Sequence, residues 1–202
     1  LRLPSAGRAR LRAILRYPGA FPAAAPAKSS PRLSPSLCRP PGDTSMFDLL
    51  FLLCFTLHNI EEALWLPDWS RHASRFHRPV KAVEFRFAVL AVTVLGYVLC
   101  FLSLAWGQSW APVRYAWYGF VLMMCINAVF PHLAATIALR RYAPGVLTGL
   151  ALNLPVGLYL VFVAHGQSPA DPWLWLATFA VAGPVLLSLG PLFRLGARLH
   201  VD

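Results

Sequence analysis

Charge is scarce in this chain. Only 13% of its 202 residues are Asp, Glu, Lys or Arg and 57% are hydrophobic, whereas about a quarter of an ordinary soluble domain is charged. Acids are the rarer sign, 8 against 18 Lys and Arg, which leaves a formal net charge of +10. That surplus invites a nucleic-acid reading until it is divided along the chain. Residues 1–45 hold eight Lys/Arg and one acid, a net of +7, and the remainder holds ten against seven, a net of +3. Topology and the leader account for the basic charge, so no nucleic-acid partner is expected. The four cysteines, Cys38, Cys54, Cys100 and Cys125, form no CxxC pair, which excludes a zinc ribbon or a dithiol redox motif. The last three lie in apolar runs and read as small buried hydrophobes. A P-loop and a nucleophile elbow are also absent, so nothing points to nucleotide or serine-hydrolase chemistry.

What the chain does have is apolar length. Mean hydropathy is +0.57, and several runs approach the roughly 20 residues a helix needs to cross about 30 Å of hydrocarbon. The fold class expected is all-α, a polytopic transmembrane helical bundle of about five spans, near 47–66, 85–106, 115–139, 146–164 and 173–193. Pro67 ends the first, Pro155 kinks the fourth, and Gly183-Pro184 and Gly190-Pro191 interrupt the fifth. Residues 1–45 are rich in Arg, Pro, Ala and Ser without hydrophobic period, and read as a disordered basic leader. The first methionine is Met46, at the edge of the first apolar run. The expected natural start is therefore Met46, with residues 1–45 upstream of it and 46–202 the transmembrane domain. The alternative is a genuine targeting leader, since its acid-poor, Arg- and Ser-containing makeup resembles a transit peptide.

Positive charge sets the orientation. Lys and Arg collect in the first connection (Arg71, Arg75, Arg78, Lys81), the third (Arg140, Arg141) and the tail (Arg194, Arg198). Under the positive-inside rule these face the cytosol. The N-terminus from Met46 is then outside or lumenal, and the C-terminus cytosolic. His72 and His77 fall in the basic first loop and read as headgroup contacts. His165 and His200 lie near ends and read as solvated.

Within the first span, His58, Glu61 and Glu62 stand at i, i+3 and i+4 in an otherwise apolar segment. Ionisable groups at membrane depth cost a few kcal/mol, on the order of 3, and normally face the bundle interior in pairs. Counting at about 1.5 Å per residue from the cytosolic boundary places His58, His132 and Asn153 in one layer, with Glu61 and Glu62 one turn shallower. The two glutamates lie about 100° apart around the helix. One is expected to serve this layer and the other to reach Arg71 or Arg75. Asn127, five residues before His132, falls on another face and reads as interhelical glue. Asn153 can bond a ligand or a carbonyl freed by Pro155. Tyr142-Ala143-Pro144-Gly145 is a tight turn, and Tyr142 can reach the cavity mouth. Gly145 and Gly149 permit close helix approach.

His58-Asn59-Ile60-Glu61-Glu62, His132 and Tyr142-Ala143-Pro144-Gly145 occur in the order of the HXXEE domain family's HXXEE, histidine and YXPG motifs. Over roughly 47–195 the chain resembles that family, which implies an integral membrane protein and names no reaction. Three readings of the cluster stay open. His58, Glu61, Glu62 and His132 suit a divalent metal, Zn or Fe. The same groups suit metal-free proton transfer, or pairing that only locks helices. The functions that follow are an enzyme on a small or lipidic substrate, by metal or proton transfer, or a non-enzymatic carrier or ligand-binding membrane protein. The bilayer is the one partner the composition requires.

Overall fold

The computed structural model describes residues 42–73 and 79–199. The expectations for the leader up to residue 41, for Arg75, His77 and Arg78, and for His200 lie outside the described residues. Five helices are long and apolar enough to cross a membrane. They are α1 Gly42–His72, α2 Ala82–Trp106, α3 Ala111–Leu139, α4 Val146–Ala164 and α5 Pro172–Arg198. No strand occurs among the described residues. This is a multi-pass membrane protein.

The burial pattern of α1 follows from lipid as solvent. Leu49, Leu53, Leu57, Ile60 and Leu64 are exposed, while Asp48, His58 and Glu61 are buried. In a bilayer the leucines are the residues that belong outside, and the polar groups must find partners within the bundle. The aromatic core lies between α1 and α3. Phe51 meets Trp117 edge-on with ring centroids 5.8 Å apart, and Phe55 meets Phe120 at 5.2 Å. Helix α5 packs against α3 and α2, and α1 packs against α2 and α4.

Several prolines act differently from expectation. Helix α1 does not stop at Pro67 but continues to His72. Proline lacks the N–H that would bond the carbonyl of Ala63 four residues earlier. Arg86 of α2 replaces it, its Nε donating to the Ala63 carbonyl at 3.0 Å. Ser70 adds a second tie, donating to the Pro67 carbonyl at 2.7 Å and accepting from the Val80 N–H at 3.2 Å. Likewise α5 runs unbroken through Pro184 and Pro191. Each follows a glycine, which lacks the Cβ that a proline ring would strike in the preceding residue. Asp171 caps α5 by accepting from the Trp173 N–H at 3.0 Å.

Helices α3 and α4 are instead irregular where they approach α1. In α3 a wide i→i+5 turn spans Ala128–Leu133, and inside it Phe130 is extended at φ −131°, ψ 115°. In α4 a similar wide turn, Gly149–Asn153, precedes Pro155.

Candidate functional site

His58 and Glu62 are one turn apart on α1 and share a face. Their closest atoms, His58 Nε2 and Glu62 Oε1, are 3.6 Å apart. His132 of α3 meets the same oxygen, Nε2 to Oε1 at 2.7 Å. The two imidazoles stand perpendicular, with centroids 5.2 Å apart. Ligand atoms of His58, Glu62 and His132 all lie within 4.8 Å of one another, and both histidines are buried. A fourth group joins them. Asn127 Nδ2 lies 3.1 Å from His132 Nε2 and 3.4 Å from His58 Nε2. A regular helix would put Asn127 and His132 about 140° apart at 3.6 residues per turn. The wide turn with its extended Phe130 returns them to one face, so Asn127 does not fall on another face as expected, and its interhelical contact to α1 is to the cluster itself.

Glu61 goes elsewhere. Among the described residues its carboxylate reaches neither His132 nor an arginine, and Arg71 pairs with Asp68 at 3.7 Å instead. Glu61 accepts from the Tyr142 hydroxyl, the Gly145 N–H at 2.8 Å, the Thr148 N–H at 3.2 Å and the Thr148 hydroxyl at 2.5 Å. It thus anchors the Tyr142–Gly145 turn and the first turn of α4, whose exposed N–H groups favour an anion. Burial, then the Glu61 carboxylate, pushes the Tyr142 hydroxyl up to about 12, so it stays a donor at neutral pH. Thr136 secures the other side, donating to the His132 carbonyl at 3.0 Å and accepting from the Ala143 N–H at 3.2 Å.

The turn therefore lies on the cluster. Gly145 has φ 91°, and a Cβ there would fall 2.7 Å from His132 Cε1 and 3.0 Å from His58 Cε1. One turn on, a Cβ on Gly149 would meet Ala128 at 2.9 Å and His58 at 3.5 Å. Only glycine allows α4 to come this close. The same fact corrects the depth count. Gly145 and Gly149, one turn apart, both border the His58 ring, so Asn153, four residues beyond Gly149, lies about 6 Å deeper than Gly149. Asn153 is fully buried, and its amide has no hydrogen-bond partner among the described residues, neither in the cluster nor at a carbonyl freed by Pro155.

Beside the cluster a groove of about 680 Å³ opens laterally. Glu61, Thr148, Tyr142 and Pro144 line it together with the exposed Leu57, Ile60, Trp65 and Leu147 and the half-buried Trp69. A larger groove of about 750 Å³ runs along α2 and touches none of these residues.

Residues 49–160 match the profile of a family described as "Protein of unknown function with HXXEE motif". The chain belongs to the HXXEE family. Consistent with this, 154 residues are 41% identical to an uncharacterised protein, YrkK, of Bacillus subtilis (strain 168), covering 76% of this chain and 97% of that one. No solved structure matches. The HXXEE match takes in His58, Glu61, Glu62, Asn127, His132, Tyr142, Gly145, Thr148 and Asn153.

Three residues of this HXXEE protein escaped sequence reasoning. Thr148 gave a faint signal, three residues after the turn glycine. Asp48 and His165 gave almost none, because each sits near a helix end where water is the default partner. His165 is not solvated but pairs with Asp48, Nε2 to both carboxylate oxygens at 3.2 Å.

Proposed function

We propose that this HXXEE protein is a bilayer-embedded, metal-dependent enzyme whose centre is His58, Glu62 and His132. The observation that carries the reading is the meeting of two imidazole nitrogens and a carboxylate oxygen, from two spans, within 4.8 Å. Two histidines and one carboxylate leave open positions on Zn or Fe. Three ligands about 2.1 Å from one tetrahedral ion lie roughly 3.4 Å apart. The 3.6 Å separation fits that spacing, and the 2.7 Å separation needs to open by about 0.7 Å. A bound ion would supply Lewis-acid polarisation or an activated water. The lateral groove beside Glu61 and Thr148, lined by lipid-facing residues, supports a lipidic substrate arriving from the bilayer. The basic connections after α1 and α3 and the basic end of α5 support a cytosol-facing site and an outside or lumenal N-terminus.

The test is elemental analysis of protein purified after growth with zinc and iron. The wild type is expected to hold about one ion per chain and His58→Ala to hold almost none while remaining folded. A folded wild type without metal overturns the proposal. It would then favour the second reading, a proton-coupled carrier, which the hydrogen-bond distance between Glu62 and His132 supports. Proton-driven uptake in proteoliposomes would identify that activity.

A further inference from the structure

We infer that Thr148 is a positioning residue: held by Glu61, its hydroxyl fixes His58 as the tautomer that offers its Nε2 lone pair to the cluster. The inference rests on the metal reading for its consequence and on proton accounting for its substance.

Both Glu61 oxygens are committed as acceptors by donors that cannot reverse. Oε1 takes the Gly145 N–H at 2.8 Å and Oε2 takes the Thr148 N–H at 3.2 Å. A hydroxyl has one proton. At 2.5 Å from Oε2, the Thr148 hydroxyl gives that proton to Glu61. Its oxygen is left with lone pairs only, and 3.1 Å away is His58 Nδ1. For that contact to be a hydrogen bond, Nδ1 must carry the proton. A neutral imidazole with Nδ1–H has its lone pair on Nε2. That atom faces Glu62 Oε1 at 3.6 Å and the Asn127 amide at 3.4 Å.

The chain of command is thus Glu61 to Thr148 to His58. It gives the two adjacent glutamates separate tasks. Glu62 presents its oxygen to both imidazoles, and Glu61, through a threonine on another span, decides which nitrogen His58 presents. Such outer partners of metal-binding histidines set ring orientation and tautomer, and losing one typically costs about 10- to 100-fold in metal affinity.

The test compares Thr148→Val, which keeps the shape and deletes the hydroxyl, with Thr148→Ser, which keeps the hydroxyl. Zinc is titrated into detergent-purified protein against a competing chelator. Thr148→Val is expected to weaken zinc about 10- to 100-fold, and Thr148→Ser to restore it to within about threefold of wild type. In parallel, 15N NMR of histidine-labelled, metal-free protein reads the tautomer directly. His58 is expected to be Nδ1–H in the wild type and the serine variant, and mixed or Nε2–H in the valine variant. A wild-type Nε2–H tautomer, or valine and serine variants that behave alike, overturns the inference. Should the wild type bind no zinc while the tautomer follows the hydroxyl, the metal reading falls and the positioning role stands. The Gly145 backbone also bonds the His58 imidazole, so if the valine variant fails to fold, Thr148→Ala repeats the comparison, and a wild-type Nε2–H tautomer still overturns the inference.

Discussion

Asp48 and His58 are both buried against the bundle from α1, ten residues and about 15 Å apart, and each brings an acid and an imidazole together across the bundle. The Asp48 end is complete. Its carboxylate accepts the Trp117 indole N–H at 2.6 Å and faces His165 Nε2 at 3.2 Å, so donors meet acceptors. The His58 end is not. His132 Nε2 serves the Glu62 oxygen at 2.7 Å, but His58 Nε2, 3.6 Å from the same oxygen, has only the Asn127 amide at 3.4 Å, and that amide lies nearer His132 at 3.1 Å. With His58 holding its proton on Nδ1, its Nε2 lone pair is left without a close donor. A finished donor count fits a helix lock, and a buried lone pair without a close donor fits the proposed proton or cation site.

The strongest way to break this contrast is to separate α4 from the cluster. Gly145→Ala puts a Cβ 2.7 Å from His132 on a residue at φ 91°. Overpacking costs about 1–3 kcal/mol and the left-handed backbone about 1–2 more. The expected outcome is a fold weakened by roughly 2–5 kcal/mol on those two counts, together with loss of bound metal. Unfolding in mixed micelles and elemental analysis read the two separately.

Next in size is the other end of α1. Asp48→Ala strands the buried Trp117 N–H and removes the partner of His165. An unsatisfied buried donor costs about 1–3 kcal/mol. Stability should fall by that amount while metal content stays at the wild-type level. Loss of metal in a folded Asp48→Ala protein would show that the two clusters are coupled and that the contrast is false.

How much of this was legible in the sequence follows from which features are local. Five spans could be read because apolar run length is a local property and lipid leaves few alternatives. The meeting of His58 with His132 could be read because rise per residue converts sequence position into depth. Asn127 could not, since its place depends on an extended Phe130 inside α3. Asn153 was misplaced by a turn because Gly145 lies against the imidazoles, so a count inward from Val146 already starts near their level. Pro67 looked like a helix end and Pro184 like an interruption, because what tolerates them is not local in pattern: Arg86 from another helix for Pro67, and the missing Cβ of Gly183 for Pro184. The division of labour between Glu61 and Glu62 needed α4, which no spacing on α1 contains.

The smallest expected effect is also the sharpest in sign, and it concerns the residue one turn below the cluster. Asn153 is fully buried, and both atoms of its amide are without hydrogen-bond partners among the described residues. If the amide belongs to neither polar region, Asn153→Leu replaces an unsatisfied group by an apolar one of similar size. Such replacements are near neutral or stabilising, so a gain of about 0–1 kcal/mol with unchanged metal content is expected on that basis. A Leu variant that is equally stable but loses metal, or loses turnover once a substrate is known, would place the amide with the cluster above it. A destabilised variant would instead mean that the amide has a partner within the native fold. Stability therefore decides whether the amide has a partner in the fold, and metal content in an equally stable variant decides whether the site ends at His58 or extends another turn along α4.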